Sequence, residues 1–299
     1  MIVQTARGYE KALYKFMKQW CFAKDHEIEA WLKYKFDADR MFLYIEDGHI
    51  VSCLQYARRT LQYDQKKAAV SVIEMGLTAG NKRNQGFYKA LAEAFMQKAA
   101  CNELVSLVKT SSVKVYAGLP FSEITFMKEY TLPSSRVETL NFSRTRRYRP
   151  NIDVYPLYEK FMAHFDGSIR LERSQFENEL AYLHAAKKKI DIMMDEHYEP
   201  IGLAVYSVQE AAIHIELLLY LNSDALEQLF SNLALISDKI YISVSHNEAL
   251  EKLYPNLKWK KKMPVLASIN NPKLFASFLN KDKAEAFKDL SGPMWFGLM

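Results

Sequence analysis

Val70-Ser-Val-Ile-Glu-Met-Gly-Leu-Thr-Ala-Gly-Asn-Lys-Arg-Asn-Gln-Gly-Phe-Tyr-Lys-Ala-Leu91 decides the fold. An apolar strand runs into a turn rich in Gly and Asn that carries Lys82 and Arg83, and a helical pattern starts directly after it. Three glycines, Gly76, Gly80 and Gly86, fall inside the stretch. A helix N-terminus presents unpaired backbone N–H groups and the positive end of the macrodipole, so a strand–loop–helix of this kind can cradle phosphate. Glycine lets the backbone approach an anion closely and take positive φ.

Working outward, residues 9–21 predict a helix with Tyr9, Ala12, Leu13, Phe16, Met17 and Trp20 on one face, and residues 28–34 a shorter one. Met41-Phe-Leu-Tyr-Ile45 and His49-Ile-Val-Ser-Cys-Leu-Gln-Tyr56 flank Glu46-Asp-Gly48, two strands joined at an Asp-Gly turn. A long hairpin over residues 56–65 leads into a strand over 65–78, in which Gly76 predicts a bulge or a close backbone approach. Residues 87–100 predict a helix with Phe87, Leu91, Ala94 and Phe95 inward, 103–109 a strand, and 122–130 a short helix. This order is a mixed α/β layer with an antiparallel start.

The element order resembles the GNAT superfamily of N-acetyltransferases, which place a coenzyme pyrophosphate at the loop after the fourth strand. Arg83-Asn-Gln-Gly86-Phe-Tyr88 is similar to the family motif [RQ]-x-x-G-x-[GA], matching at Arg83 and Gly86 and departing at Tyr88. Trp20-Cys21-Phe22 and the long hairpin narrow the resemblance to bacterial two-lobed acetyltransferases of the enhanced-intracellular-survival group. That resemblance implies an α/β mixed sheet in tandem GNAT-like lobes, the second degenerate, with a short C-terminal extension.

The rest of the chain carries a second copy of the pattern. Lys189-Ile-Asp-Ile-Met-Met-Asp-Glu-His-Tyr-Glu-Pro-Ile-Gly-Leu-Ala-Val-Tyr206 repeats strand–turn–strand, Ala212-Ile-His-Ile-Glu-Leu-Leu-Leu-Tyr-Leu221 parallels residues 71–77, and a helix over 223–235 and a strand over 239–244 follow. Where the first copy has its Gly-rich loop, the second has Asn222-Ser-Asp-Ala225, which lacks both glycine and basic residues and should hold no pyrophosphate. The expected divisions are a GNAT domain over 1–148, a degenerate GNAT-like domain over 149–246 and an extension over 247–299, with the basic, Pro-containing residues 144–151 as linker. Residues 263–279 resemble the first strand and helix of a sterol-carrier-like domain. An apolar tail, Gly292-Pro-Met-Trp-Phe-Gly-Leu-Met299, ends the chain.

The resemblance implies an acetyl-CoA-dependent N-acetyltransferase. Met75, Gly76 and Leu77 would line the thioester, and Lys82, Arg83, Asn84, Gln85, Gly86, Phe87 and Tyr88 would hold the pyrophosphate. Transfer to an amine needs a base for the amine and an acid for the departing thiolate. Family members carry a tyrosine in the helix after the fifth strand. Alignment puts Phe126 at that position, which leaves Tyr130, one turn on, or Tyr116 as the acid. Glu74 or Glu123 could act as base through water, and in the resembling group the terminal carboxylate, here on Met299, can enter the site. The acceptor is an amine of unspecified identity, a small molecule or a lysine-containing peptide. Two other readings stay open: an acyl-CoA-binding module without catalysis, and an interaction protein with a relic loop.

Composition sets outer bounds. Of 299 residues 49% are hydrophobic and 25% charged, ordinary for a globular protein, and no apolar run matches a membrane span or a signal peptide. A net charge of +5 is too mild to indicate nucleic acid. Cys21, Cys53 and Cys101 read as free thiols of a reducing cytoplasm, and the seven histidines show no metal-ligand spacing. Lys187-Lys-Lys189 and Lys258-Trp-Lys-Lys-Lys262 read as solvated faces. Homo-oligomerisation is left open.

Overall fold

The computed structural model describes residues 1–138, 140, 144–280 and 290. Strand β1 (Ile2–Val3) opens the chain and pairs with β2, described below; helices α1 (Glu10–Trp20) and α2 (Asp25–Tyr34) follow. On α1, Leu13, Phe16 and Met17 are buried as the periodicity predicts, while Ala12 is exposed. Asp47 and Gly48 both take positive φ, the geometry that a tight hairpin between twisted strands requires, and join β2 (Met41–Glu46) to β3 (His49–Tyr63). Asp64 and Gln65, also left-handed, return the chain into β4 (Lys66–Thr78). Helix α3 (Phe87–Ala99) crosses over, and β5 (Val105–Lys109) comes back parallel to β4.

The expected helix over 122–130 is instead part of strand β6 (Ser122–Pro133). Ile124, Met127 and Tyr130 have helical spacing, but the segment is flanked on both edges by strands from more than a hundred residues later in the chain. Paired on both edges, β6 is buried over most of residues 125–132, so tertiary context overrides the local period.

Strand β7 (Thr145–Arg147), helix α4 (Tyr155–Met162), strand β8 (Ser168–Arg170) and helix α5 (Arg173–Ala185) lead into the second copy. There β9 (Lys189–Met194), β10 (Pro200–Gln209), β11 (Ala212–Tyr220), α6 (Ser223–Ala234) and β12 (Lys239–Ser245) reproduce β2 to β5, with β11 and β12 parallel as β4 and β5 are. Strand β13 (Trp259–Ile269) and helix α7 (Pro272–Leu279) follow. The strand and helix expected from residues 263–279 therefore exist, but they do not open a separate domain: β13 lies inside the sheet, between β5 and β6.

The described strands form one sheet in the order β1-β2-β3-β4-β5-β13-β6-β12-β11-β10-β9-β7, with β8 paired to β3. Read from its two ends, the order is the same. The first half closes with β13, a strand from the end of the chain, and the second half closes with β6, a strand from before the repeat. Each half borrows its last strand from the other. Helix α3 packs Leu91, Ala92 and Phe95 on one face of the first half against Phe42, Leu54 and Ile73. Helices α1, α2, α4 and α5 share a core on the opposite face, α6 covers the second half, and Phe275 and Leu279 of α7 close over β5 and β13. All three cysteines are free, Cys53 buried, Cys21 half-buried and Cys101 exposed. No helix among the described residues is long and apolar enough to cross a membrane.

The second half contains a buried polar cluster. The Glu248 carboxylate accepts from the Ser245 backbone N–H (2.9 Å) and the Tyr220 hydroxyl (3.0 Å), while the Lys128 ammonium donates to the Glu248 carbonyl (3.0 Å). Burial pushes the Glu248 carboxyl up from 4.5 to about 7, against the lowering effect of those donors. An acid with a raised folded-state pKa stabilises the fold fully below its unfolded value and loses that contribution as pH rises through the folded value. Glu248→Gln removes the titration. Its stability relative to wild type should rise by roughly 3 kcal/mol between pH 4.5 and pH 8 in denaturant melts. A difference that is flat with pH would show that Glu248 does not carry a buried proton.

Candidate active site

The bulge in β4 falls at Glu74, two residues before the position expected. Gln55 pairs with Met75 and Tyr56 with Ile73, so Glu74 is the extra residue, while Gly76 stays paired opposite Leu54. The β4–β5 pairing is Ser71 with Ser106, Val72 with Leu107 and Ile73 with Val108, and it stops there. Beyond that rung β4 bends away at its bulge, and β5 continues against β13, Lys109 opposite Val265. A V-shaped opening results, with Glu74 and Lys109 at its vertex.

The three glycines have three different reasons. A Cβ on Gly76 would lie 2.5 Å from Cε2 of Tyr88, whose ring covers that position. A Cβ on Gly80 would lie 2.8 Å from Cζ3 of Trp20. Gly86 alone is required by conformation: it is the residue before α3 and has φ +83°, with open space around its Cβ position. No side chain caps α3, so its N-terminal N–H groups open towards the loop. In the loop Lys82 is ion-paired with Glu46, Gln85 Nε2 donates to the Asn81 carbonyl (3.2 Å), and Arg83 is exposed with no ion-pair partner among the described residues.

The second copy differs at this point. Asn222 Oδ1 accepts from the Ala225 N–H at 2.8 Å, and Asp224 sits in the first turn of α6. That helix end is already satisfied by its own oxygen and carries an anion, which disfavours phosphate.

The V opens into a cavity of about 1080 Å³. Of the residues singled out in the sequence, Glu74, Met75, Gly76, Leu77, Lys82, Arg83, Asn84, Gly86, Phe87, Tyr88 and Tyr116 line it; Gln85 does not. Tyr116 ends the short 3₁₀ turn Val113–Tyr116 that follows β5, so the aromatic of the segment after the fifth strand is Tyr116 and not Phe126. Its hydroxyl shares a 2.7 Å hydrogen bond with the hydroxyl of Tyr88. Burial pushes the Tyr116 phenol up to about 12 and raises that of Tyr88 well above 10.

Tyr130 is displaced from the expected site. It is fully buried in the second half's core and donates to the Glu251 carboxylate, away from the cavity. Phe126 stacks on Trp259, and Glu123 pairs with Lys261; neither lines the cavity. Met299 lies outside the described residues.

The cavity's far wall comes from the second half and has no signal in the first. There β11 carries the matching bulge: Val205 pairs with Leu217 and Tyr206 with Ile215, leaving Glu216 as the extra residue. Glu74 and Glu216 therefore occupy equivalent positions in the two copies and face one cavity. Each is neutralised, Glu74 by Arg59 and Glu216 by Lys188 (2.9 Å). A third pair, Lys35 with Glu179 (2.8 Å), is buried close by. Burial works against the Lys35 charge, but Glu179 and Glu74 outweigh it and hold the ammonium above its ordinary value. Lys188 and Lys262 belong to runs whose composition reads as solvated, yet both line the cavity.

No family model matches the chain, and no curated protein matches its sequence. The structure is similar to solved ones. A GCN5-related N-acetyltransferase from Anabaena variabilis aligns at TM-score 0.73 and 12% identity over 91% of this chain and 73% of that one. Eis1 from Mycobacterium abscessus aligns at 0.61 and 12%, over 93% and 75%. Saccharomyces cerevisiae N-myristoyltransferase with bound myristoyl-CoA aligns at 0.65 and 10%, over 90% and 78%. The chain has the GNAT fold in an arrangement similar to Eis1; at these identities the likeness is one of fold.

The contact between Gly76 and Tyr88 is testable by stability. Gly76→Ala should destabilise by about 1–3 kcal/mol through overpacking. Pairing it with Tyr88→Ala should make the second methyl nearly neutral in a double-mutant cycle. Additive losses would mean that Tyr88 does not cover Gly76.

Proposed function

We propose that the chain transfers an acyl group from acyl-coenzyme A to an amine. The observation that carries this reading is the conjunction of the opened β4–β5 vertex with the uncapped α3 N-terminus behind Gly86. The donor molecule supplies an activated thioester when bound. The residues present fit such a group: the first-turn N–H groups of α3 and the Arg83 guanidinium suit a pyrophosphate, and the bulged strand from Glu74 to Leu77 offers free backbone groups at the vertex.

The chain's own groups divide the proton work. Glu74, ion-paired with Arg59, is the base that takes a proton from the acceptor amine through water. Tyr116, a phenol protonated at neutral pH whose pKa burial raises further to about 12, delivers a proton at its phenolic oxygen and is oriented by Tyr88. Met75, Gly76 and Leu77 position the donor, and the second half closes the opposite wall against water. We read residues 1–148 as the catalytic unit and 149–246 as the copy that supplies this wall, with acetyl as the simplest acyl group. The acceptor is a small amine or a lysine side chain.

Calorimetric titration with acetyl-CoA should give one site per chain. Gly86→Asp places a carboxylate at the α3 N-terminus, a residue type that tolerates the left-handed conformation and suits a helix start. The fold should persist while affinity falls more than about tenfold, some 1.4 kcal/mol. Unchanged affinity would displace the site. With an amine panel and thiol detection, Tyr116→Phe should lower turnover by about 10²–10⁴ with donor binding unchanged, whereas Tyr130→Phe should leave turnover at the wild-type rate. Wild-type turnover in Tyr116→Phe would remove it as the acid.

A further inference from the structure

Lys109 is the last residue of β5 and the first beyond the Val108–Ile73 rung, across the vertex from Glu74. It lines the cavity. Of the other lysines lining it, Lys82 is paired with Glu46, Lys188 with Glu216 and Lys262 with Glu129, while Lys89 and Lys114 are exposed beside the loop and the 3₁₀ turn. Lys109 is the half-buried one with no ion pair or hydrogen bond from its ammonium among the described residues. The acids whose charges act on it, Glu179 and Glu216, are already committed to Lys35 and Lys188.

A lysine in that position is held partly as the free amine. Burial lowers its pKa to about 8; Glu179 and Glu216 oppose the shift, and Lys35 and Lys262 add to it. An amine of that kind is a nucleophile near neutral pH, whereas a surface lysine stays protonated.

We propose that Lys109 is itself acylated by a bound acyl-coenzyme A, an inference that rests on the donor binding at the vertex as described above. The Nζ lone pair forms a bond to the thioester carbonyl carbon, and the carbon–sulfur bond breaks with its electron pair staying on sulfur. The ammonium starts with three protons. One is lost to solvent to free the lone pair, one passes from nitrogen to the departing thiolate, and one remains on the amide. The products are an acyl-lysine, coenzyme A thiol and one released proton. Acylation removes the titratable amine of Lys109 and adds the acyl group's bulk to the cavity it lines, so the modification would also limit turnover by an external amine.

The test is incubation of the full chain with acetyl-CoA, followed by intact-mass spectrometry and peptide mapping, with calorimetric titration of the same preparation. One acetyl group should appear on Lys109 at least about tenfold faster than on any exposed lysine, with a rate that levels off above about pH 8 instead of climbing towards the ordinary lysine value near 10.4. Lys109→Arg should bind acetyl-CoA and lose this fast phase. Lys109→Met, which keeps the stem without a charge, serves the same purpose if the arginine disturbs the fold. Binding without preferential acetylation at Lys109, or the same acetylation pattern in Lys109→Arg, overturns the proposal and leaves the transferase reading standing. Absence of acetyl-CoA binding removes both.

Discussion

Beyond the Ile73–Val108 rung, two parallel strands that could have stayed paired come apart. The separation follows from one inserted residue. Glu74 adds a bulge to β4 against β3, which turns β4 out of the plane in which β5 runs. β5 is meanwhile held by β13 on its other edge, so it cannot follow. The opening is thus fixed from both sides, and the loop, α3 and the cavity are arranged around it. A strand from the end of the chain thereby helps set the geometry of a site built from its beginning.

The two copies share their backbone plan and differ sharply at one helix start. Both carry a bulge with a glutamate as the extra residue, both have a parallel pair, and both put a helix after the first strand of that pair. The difference lies at the helix start. Before α3 a left-handed glycine leaves the N–H groups open, while before α6 Asn222 turns its own oxygen onto them. The second copy's interior is then filled by the Tyr130, Tyr220 and Glu248 cluster, and its bulged Glu216 serves the first copy's cavity as a wall residue.

Local pattern made much of this legible. The Asp-Gly turn, the α3 start and the strands of the second copy all form where periodicity and turn chemistry place them, because their pairing partners are neighbours in sequence. One strand and the place of another are not legible there. β6 has helical apolar spacing, and β13, a strand in sequence as in structure, reads as the start of something separate; each is fixed by partners far away, which no local period encodes. The same limit governs the site. Residues 74–88 are contiguous and were read together, whereas Lys109, Tyr182, Lys188 and Glu216 meet only through the fold. Tyr116 follows β5 and lines the cavity, but in sequence it stands beside Tyr130 as one of two candidates, because the helical spacing over residues 122–130 aligns Phe126 with the family's tyrosine position. In sequence Gly76 reads as a bulge or close backbone approach and Gly80 as part of the phosphate-type turn, and the structure gives them to Tyr88 and Trp20 as packing surfaces.

The central claim is that the opened vertex of the first copy holds an acyl-coenzyme A and that the matching place in the second does not. Hydrogen–deuterium exchange with and without coenzyme A tests it most directly. The account predicts new protection over residues 74–88 and 109–116, and unchanged exchange over residues 219–226 and 245–250, which lie at the matching place of the second copy and outside the cavity lining. Protection confined to the second set, or none in the first, would contradict it.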